Sequence, residues 1–533
     1  MYNNYTPLQQ RQLALQEYSN TQSTYLLVRA SARSTALKAT LTDQLHRKFR
    51  LVDRLGGELT ASVDGVLLAA EDVELMSTAL MYFAKALQDG ADYAVCNAVF
   101  GFGGATALYQ SQPLQAQNRC AVVSRTLLER CRAAAHDPEN VPELLALAAQ
   151  LCTKPTLIPQ ALLHYERGIC AEDAFSAHGK RAFIMSHVLD MTGAPIVLVS
   201  AVPVLRSMGY EVLVLGPSDG GSLHLFLDAG ASVITRSSCR NVSDAWAMAL
   251  CADFVIANTV VMARAVRALS GTAVPVLWWL HDAFAGYPHI AHQIPTQLGE
   301  NVRVYSVGSH AANAMRAVRP EFEIRPLIYG LPDYAAENFV RTDLGYNRGR
   351  PLFATVGSFE RRKGHDIFCK AIRLLPPEVR EKASFLFVGQ AADKEMMDSV
   401  RALTADYPEN VYYCKRLARD EIKSLMEQCT GLVCASRDDP MPTFVTEGLI
   451  FGKPSIVSEH TGTAGLISEG RNGFVYHNDD PQQLAVLLEH AIEHPEELAS
   501  MRTECRKMYE QYYSKEAFEQ TLRAAVEDLT AKK

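Results

Sequence analysis

The sequence carries no basic surplus: 52 lysines and arginines face 59 aspartates and glutamates, for a formal net charge of -7. A chain without excess cations has little with which to neutralise a phosphate backbone, which argues against a nucleic-acid partner. None of its 12 cysteines forms a C-x-x-C pair, and the closest two, Cys429 and Cys434, are separated by four residues. Thiols scattered this way through a long chain read as reduced, buried residues of a cytoplasmic protein. The opening MYNNYTPLQQRQ is polar and has no apolar signal core. No apolar run is suited to spanning a membrane. The most apolar stretch, PIVLVSAVPVLRSMGYEVLVLG (195–216), is broken by Arg206 and Gly209 and reads as helix then strand. His281, His289 and His292 lack the spacing of a zinc-protease helix, so no metal site is expected.

What is present is alternation. A length of 533 residues suits roughly three domains. After a polar, Gln-rich lead-in (1–20), residues 21–175 read as an α/β domain. Its candidate strands are 24–30, 49–54, 65–72 and 91–100, with a strand running into a helix over 120–135. Helical spacing covers 34–48, 73–88 and 139–152. GFGGATA (101–107) is a poor dinucleotide fingerprint, because no acidic strand end follows it; a flexible loop fits better. A second unit (176–335) places strands at 181–187, 211–216, 232–236, 253–258, 275–281 and 302–308, separated by helical stretches such as 195–209 and 241–251. A polar linker, 334–351, leads to a third unit ending near 515, with strands at 352–359, 384–390, 411–417, 431–436, 453–459 and 473–477. Short apolar strands alternating with helices predict two tandem doubly wound, Rossmann-like parallel sheets, whose carboxyl-end crevices face a common cleft. Amphipathic helices from 480 to 529 close the chain, 516–533 being the last.

The chain is organised around RDDPMPTFVTEG (437–448), which joins the strand GLVCAS to a short apolar helix. Asp439 and Glu447, with seven residues between them, put one carboxylate at the loop mouth and one a turn into the helix. Pro442 suits the first helical position. The N–H groups there, at Thr443 and Phe444, make an anion site. Donors for a diphosphate beside carboxylates for hydroxyls are what a nucleotide-sugar needs; a capped strand–turn–helix corner explains the stretch as well. GSFERRKGHD (357–366) follows the first strand of the third unit. Gly357 lets a phosphate approach the backbone, and Arg362 and Lys363 supply charge to neutralise it. The plainer alternative is a solvated basic turn. In MTGAP (191–195), Gly193 allows close approach of a ligand, or simply starts a helix. WWLHD (278–282) ends a strand with His281 and Asp282 at its carboxyl tip, where a histidine serves as acid/base or as a structural residue. Asp438 and Asp439 read better as a solvated acidic turn than as a cation site.

From about 181 to 515 the chain resembles a GT-B-fold retaining glycosyltransferase of glycosyltransferase family 4. The residues that carry the resemblance are MTGAP, DFVIANTVV, WWLHD, GSFERRKG, and Asp439-x7-Glu447 followed by GKPSIVSEHTGTAGLISEGRNGF. It implies that Glu447 holds the donor ribose and Asp439, standing where glutamate is usual, the transferred sugar. Thr443 and Phe444 would bind the diphosphate, Arg362 and Lys363 would neutralise it, and Arg416 and Leu417 would border the base. Gly193 would line the facing side, with His281 near the reacting sugar and Asp282 beside it on the acceptor side. Ser358 stands where many relatives carry arginine, leaving more of the phosphate charge to Arg362 and Lys363.

Residues 21–175 are similar to the later part of a family 2 GT-A domain, through GVLLAAEDVELMSTALMYFAKAL and LIPQALLHYE (157–166). Here the metal-binding aspartates have become Ala69-Ala70-Glu71-Asp72, and the strands look too few, which implies a non-catalytic remnant that binds acceptor or a partner. The resemblance thus implies transfer of a sugar from a nucleotide-sugar to a glycan, protein or lipid-linked acceptor, with retention and no metal or other cofactor. The partners expected are that donor and acceptor, with no nucleic acid and at most peripheral membrane contact. Alternatives are a GT-B nucleotide-sugar epimerase or hydrolase, and a non-catalytic nucleotide-sugar-binding or scaffold subunit. Deletion of residues 1–175 is expected to leave a folded, nucleotide-binding protein.

Overall fold

The computed structural model describes residues 23–31, 33–71, 73–101, 106–110, 118–166, 179–236, 239, 246, 248–346, 349–415 and 417–531. The chain falls into two compact units, one ending at Val255 and one running from Ile256 to Lys533.

In the first unit the strands are β1 (Leu26–Arg29), β2 (Phe49–Val52), β3 (Gly65–Ala69), β4 (Glu74–Leu75), β5 (Tyr93–Gly101), β6 (Thr106–Gln110), β7 (Cys120–Ser124) and β8 (Pro155–Glu166). Alternate residues feed opposite faces. Leu26, Val28 and Leu67 pack with Leu80 and Phe83 of the helix Ala79–Gln88. Leu27, Val66 and Leu68 pack with Leu127, Leu128 and Leu144 on the other side. These strands are buried on both faces, so they read as unbroken apolar runs. The strands of this segment were under-read from sequence. β4 pairs with β8 where helix was expected from residue 73, and β6 pairs antiparallel with β5 across the GFGG stretch, whose residues 102–105 lie outside the described residues.

The same unit continues through the parallel strands β9 (Lys180–Met185), β10 (Tyr210–Gly216) and β11 (Ser232–Arg236). β11 pairs antiparallel with β6, from Val233 opposite Tyr109 to Arg236 opposite Thr106. Residues before 175 therefore supply the neighbouring strand of β11, within the compact unit that ends at Val255. Residues 167–178, the expected boundary, lie outside the described residues. Deleting 1–175 bares the β11 edge, whose Val233 and Ile234 are buried, and an unpaired apolar edge is a template for aggregation. The truncated chain is now expected to elute from a sizing column largely as aggregate and to melt below the full chain. A monomeric truncation of unchanged melting temperature would show that the β6–β11 ladder contributes nothing.

β12 (Phe254–Asn258) straddles the division, and β13 (Val276–Leu280), β14 (Val302–Ser306) and β15 (Ile324–Pro326) run parallel in the second unit. The six-stranded sheet that follows is all parallel: β16 (Leu352–Val356), β17 (Ser384–Val388), β18 (Val411–Cys414), β19 (Gly431–Cys434), β20 (Ser455–Ser458) and β21 (Gly473–Tyr476). Its order is β18-β17-β16-β19-β20-β21. Winding reverses between β16 and β19, so the loops leaving their carboxyl ends splay from one crevice, where open α/β sheets bind ligands. The last helix, Lys515–Thr530, returns to β13 and β15: Phe518 stacks on Trp279 with centroids 5.8 Å apart, and Asp528 pairs with Arg325 at 2.8 Å. Among the described residues no helix is long and apolar enough to cross a membrane.

Candidate functional site

The loop after β16 makes a 3-10 turn, Arg361–Lys363, and then Gly364 takes a left-handed conformation with φ 66°. Glycine is required there twice over. A Cβ would lie 1.8 Å from the Ala435 carbonyl oxygen, in the loop leaving β19, and the backbone angle itself disfavours a side chain. The close approach laces the two switch-point loops together, with the Arg437 N–H donating to Arg362 O at 2.8 Å. Arg437 finishes the seam by donating to both oxygens of Asp366 at 2.8 Å each, to Asp479 at 2.9 Å and to Arg361 O at 2.8 Å. Burial alone would raise the Asp366 carboxyl, but the Arg437 guanidinium holds it below the usual carboxylate range. The sequence reading gave Arg437 no role.

Lys363 runs its stem over Gly357, with methylene carbons 3.9–4.0 Å from where a Cβ would stand. Its Nζ donates to Asp439 Oδ2 at 2.5 Å; the two side chains are 20% and 4% exposed. Asp439 also accepts from Ser436 Oγ at 3.4 Å and, on its other oxygen, from the Met441 N–H at 3.3 Å. The structure thus brings Lys363 and Asp439 together, with the carboxylate turned to the lysine. Arg362 donates to Asp438 O and to Glu360 Oε1, both at 2.9 Å, and Glu360 also accepts from the exposed Ser358 at 3.1 Å. Next to Lys363, His365 is buried, and burial together with the Lys363 charge pushes it down to about 3, so its ring is neutral.

Asp439 leads through Pro440 and Met441 to the helix Thr443–Ile450. Pro442 is not its first residue: it stands just before, at φ -71° and ψ 105°, where its carbonyl accepts from Val445 and Thr446. That leaves the Thr443 and Phe444 N–H groups without a partner among the described residues, at the positive end of the helix dipole. Thr443 is exposed, Phe444 buried, and Glu447 half-buried one turn on. Tyr329, which pattern reading passed over, lies buried beside them, its hydroxyl 3.5 Å from Thr443 Oγ1. Burial raises its phenol, and the charges of Asp439 and Glu447 push it further up. Of the residues expected to border a base, Arg416 lies outside the described residues. Leu417 is 6% exposed, a core side chain with little surface to offer.

His281 and Asp282 do follow β13. The half-buried His281 ring lies 4.7 Å from that of Trp279. Asp282 accepts from the Val260 N–H at 2.6 Å, and burial pushes its carboxyl up to about 6 against that bond. Thr259, just before, is a β-branched residue at φ 73°, a strained position of the kind that clusters at functional sites. Asp438, taken from sequence as part of a solvated acidic turn, is instead held by three N–H donors, from His310, Phe284 and Ala285. Burial would raise its carboxyl, but the His310 and backbone hydrogen bonds outweigh that and lower it. Gly193 opens the helix Gly193–Ser207 of the other compact unit. In the GT-A-like segment, Glu71 accepts from Ser31 at 2.8 Å, while Asp72 lies outside the described residues. No group of three or more His, Cys, Asp or Glu among the described residues is placed to hold a metal ion.

Residues 178–318 match the family model described as Glycosyl-transferase family 4, and residues 337–508 match Glycosyl transferases group 1. An uncharacterized glycosyltransferase of Methanocaldococcus jannaschii is 26% identical over 197 residues, which are 36% of this chain and 53% of that protein. Spore coat protein SA of Bacillus subtilis is 26% identical over 160 residues, 28% of this chain and 41% of that one. The chain thus spans about half the length of the curated relatives it matches. Among solved structures, Anabaena HepE in complex with UDP and glucose superposes with a TM-score of 0.52 at 18% identity, covering 66% of this chain and 99% of its own. Sucrose-phosphate synthase of Thermosynechococcus elongatus gives 0.53 at 15%, covering 66% and 99%. At these identities the likeness shows the fold, which is GT-B.

Proposed function

We propose that this chain, a GT-B glycosyltransferase by its two matched domains, moves a sugar from a nucleoside diphosphate donor to a glycan, protein or lipid-linked hydroxyl, with retention and without metal. One observation supports this reading above the rest. Two unpartnered N–H groups at a helix start stand on the same loop as an aspartate held by lysine, with Glu447 one turn on. A cradle of that kind stabilises the charge that develops on a departing diphosphate. HepE, crystallised with UDP and with UDP-glucose, supports a nucleotide-sugar as the donor.

In this mechanism the acceptor oxygen bonds to the anomeric carbon on the face from which the diphosphate leaves. The carbon–oxygen bond to phosphate breaks, and the acceptor proton passes to a phosphate oxygen. Thr443 and Phe444 bind the diphosphate through the backbone, Lys363 and Arg362 neutralise it, and Glu447 holds the ribose. Asp439 sets the position of Lys363 and reaches the sugar only as far as the ion pair yields. His281 and Asp282 stand on the acceptor side. A cytoplasmic setting, with at most peripheral membrane contact, belongs to the same proposal.

The fully engaged carboxylate of Asp439 favours one second reading, a subunit that binds a nucleotide-sugar without turning it over. Incubation with a panel of nucleotide-sugars and acceptors separates the two, with the anomeric configuration of the product read by NMR. We expect a retained linkage, and turnover that survives thorough chelation with EDTA. An absolute need for Mg²⁺ or Mn²⁺ would move the chemistry away from this cradle. Donor binding with no turnover for any acceptor would favour the binding subunit.

A further inference from the structure

Asp438 and Asp439 are chain neighbours, yet their side chains engage different parts of the second compact unit. Asp439 faces Lys363 in the loop after β16. Asp438 Oδ1 accepts from His310 Nε2 at 2.6 Å and from the Phe284 N–H at 3.1 Å, and its Oδ2 accepts from the Ala285 N–H at 2.9 Å. These donors belong to the loop after β13 and the helix after β14. His310 and Asp438 are 4% and 15% exposed, so the bonds form away from water, where charge-assisted hydrogen bonds are strong.

The surrounding seam is tight. A Cβ on Gly308 would stand 2.9 Å from Met441 Cε and 3.1 Å from Gly462 O, and one on Gly465 would stand 2.8 Å from Ser309 Oγ. The His310 ring lies 5.1 Å from Phe284 and 5.7 Å from His460, whose Nδ1 is 3.1 Å from Arg437 O. The Asp438 carbonyl oxygen is held as well, by Arg362 at 2.9 Å.

We propose that Asp438 is a positioning residue: it fixes the 283–286 loop, and with it His281 and Asp282 just upstream, in register with Lys363 and Asp439. The two aspartates share a peptide bond, so a shift of one is carried to the other. A misplacement of about 1 Å far from the reacting atoms already costs on the order of 10²-fold in rate. The catalytic part of this inference rests on the transfer reading; the structural part does not.

The test uses the full chain with Asp438→Ala, His310→Ala and the double variant. Turnover is expected to fall roughly 10- to 100-fold in each single variant, and no further in the double, because the residues act as one unit. Affinity for the bare nucleoside diphosphate should stay within about threefold, which places the loss in kcat and not in ground-state binding. Hydrogen exchange at the Phe284 and Ala285 amides should quicken by about tenfold or more in Asp438→Ala. The Gly286 and Tyr287 amides, bonded within their own loop to Ala283 O and Phe284 O, should change less. Unchanged exchange at Phe284 and Ala285 overturns the clasp whether or not the protein transfers sugar. Quickened exchange with unchanged turnover, or an equal loss of nucleotide affinity and turnover, overturns the positioning role. If the parent chain turns over no donor, the transfer reading fails while the exchange result still decides the clasp.

Discussion

Lys363→Ala is expected to lose turnover by roughly 10²–10³-fold, the size typical of removing one group that stabilises developing charge. It should also lose stability, because the lysine is the counter-ion of a carboxylate that is 4% exposed. Breaking a buried pair from one side costs about 3–5 kcal/mol, most of it the penalty of an uncompensated charge. The remaining donors to Asp439, Ser436 at 3.4 Å and the Met441 N–H at 3.3 Å, are long and replace little of the lysine. The two effects come apart in Lys363→Ala/Asp439→Asn, which removes both charges. Denaturant unfolding should recover much of the lost stability in the double variant, while turnover stays low. A double variant that regained turnover would show that Lys363 serves the fold and not the diphosphate.

Glu447→Ala is the opposite case, a large loss of function with little loss of stability. Glu447 is half-buried on the helix Thr443–Ile450, one turn from the unpartnered N–H groups of Thr443 and Phe444. Alanine is the better helix former, and replacing this half-buried carboxylate is expected to change stability by less than about 1 kcal/mol. Hydrogen bonds to a charged group contribute about 1.5–3 kcal/mol each, so loss of the ribose contact should weaken donor binding by one to two orders of magnitude. Transfer should fall below detection under conditions that give the parent chain easily measured rates. A Glu447→Ala protein that melted far below the parent would place the residue in the fold and misplace the donor site.

The strands of the six-stranded sheet were legible because burial on both faces leaves a local record, four or five apolar residues between turn signals. SFLFV and GLVC became β17 and β19 within a residue or two of expectation. The RRKG turn and the helix after PMP were legible from their glycine and prolines, which punctuate the chain locally. Partners were not. Lys363 meets Asp439 across 76 residues and His310 meets Asp438 across 128, and periodicity carries no information at that range. Asp438 was read by composition as solvated, whereas its surroundings supply three donors. Pro442 was placed one position too far into its helix, since a missing N–H and a fixed φ suit the residue before the first turn as well as the one within it. Leu417 came by resemblance and proved a core residue. The β6–β11 ladder joins strands 120 or more residues apart, beyond any local pattern, so the first 175 residues looked more self-contained than they are.

The central claim is that the crevice between the loops of β16 and β19 holds a nucleoside diphosphate sugar at the start of the helix Thr443–Ile450. Its most direct test is calorimetric titration of the full chain and of Glu447→Ala with a panel of nucleotide-sugars and their nucleoside diphosphates. We expect the parent chain to bind at least one of them with one-to-one stoichiometry, and Glu447→Ala to bind it about 10- to 100-fold more weakly at unchanged melting temperature. Equal affinity in the two proteins, or no binding of any nucleotide-sugar by a folded parent chain, would contradict the account.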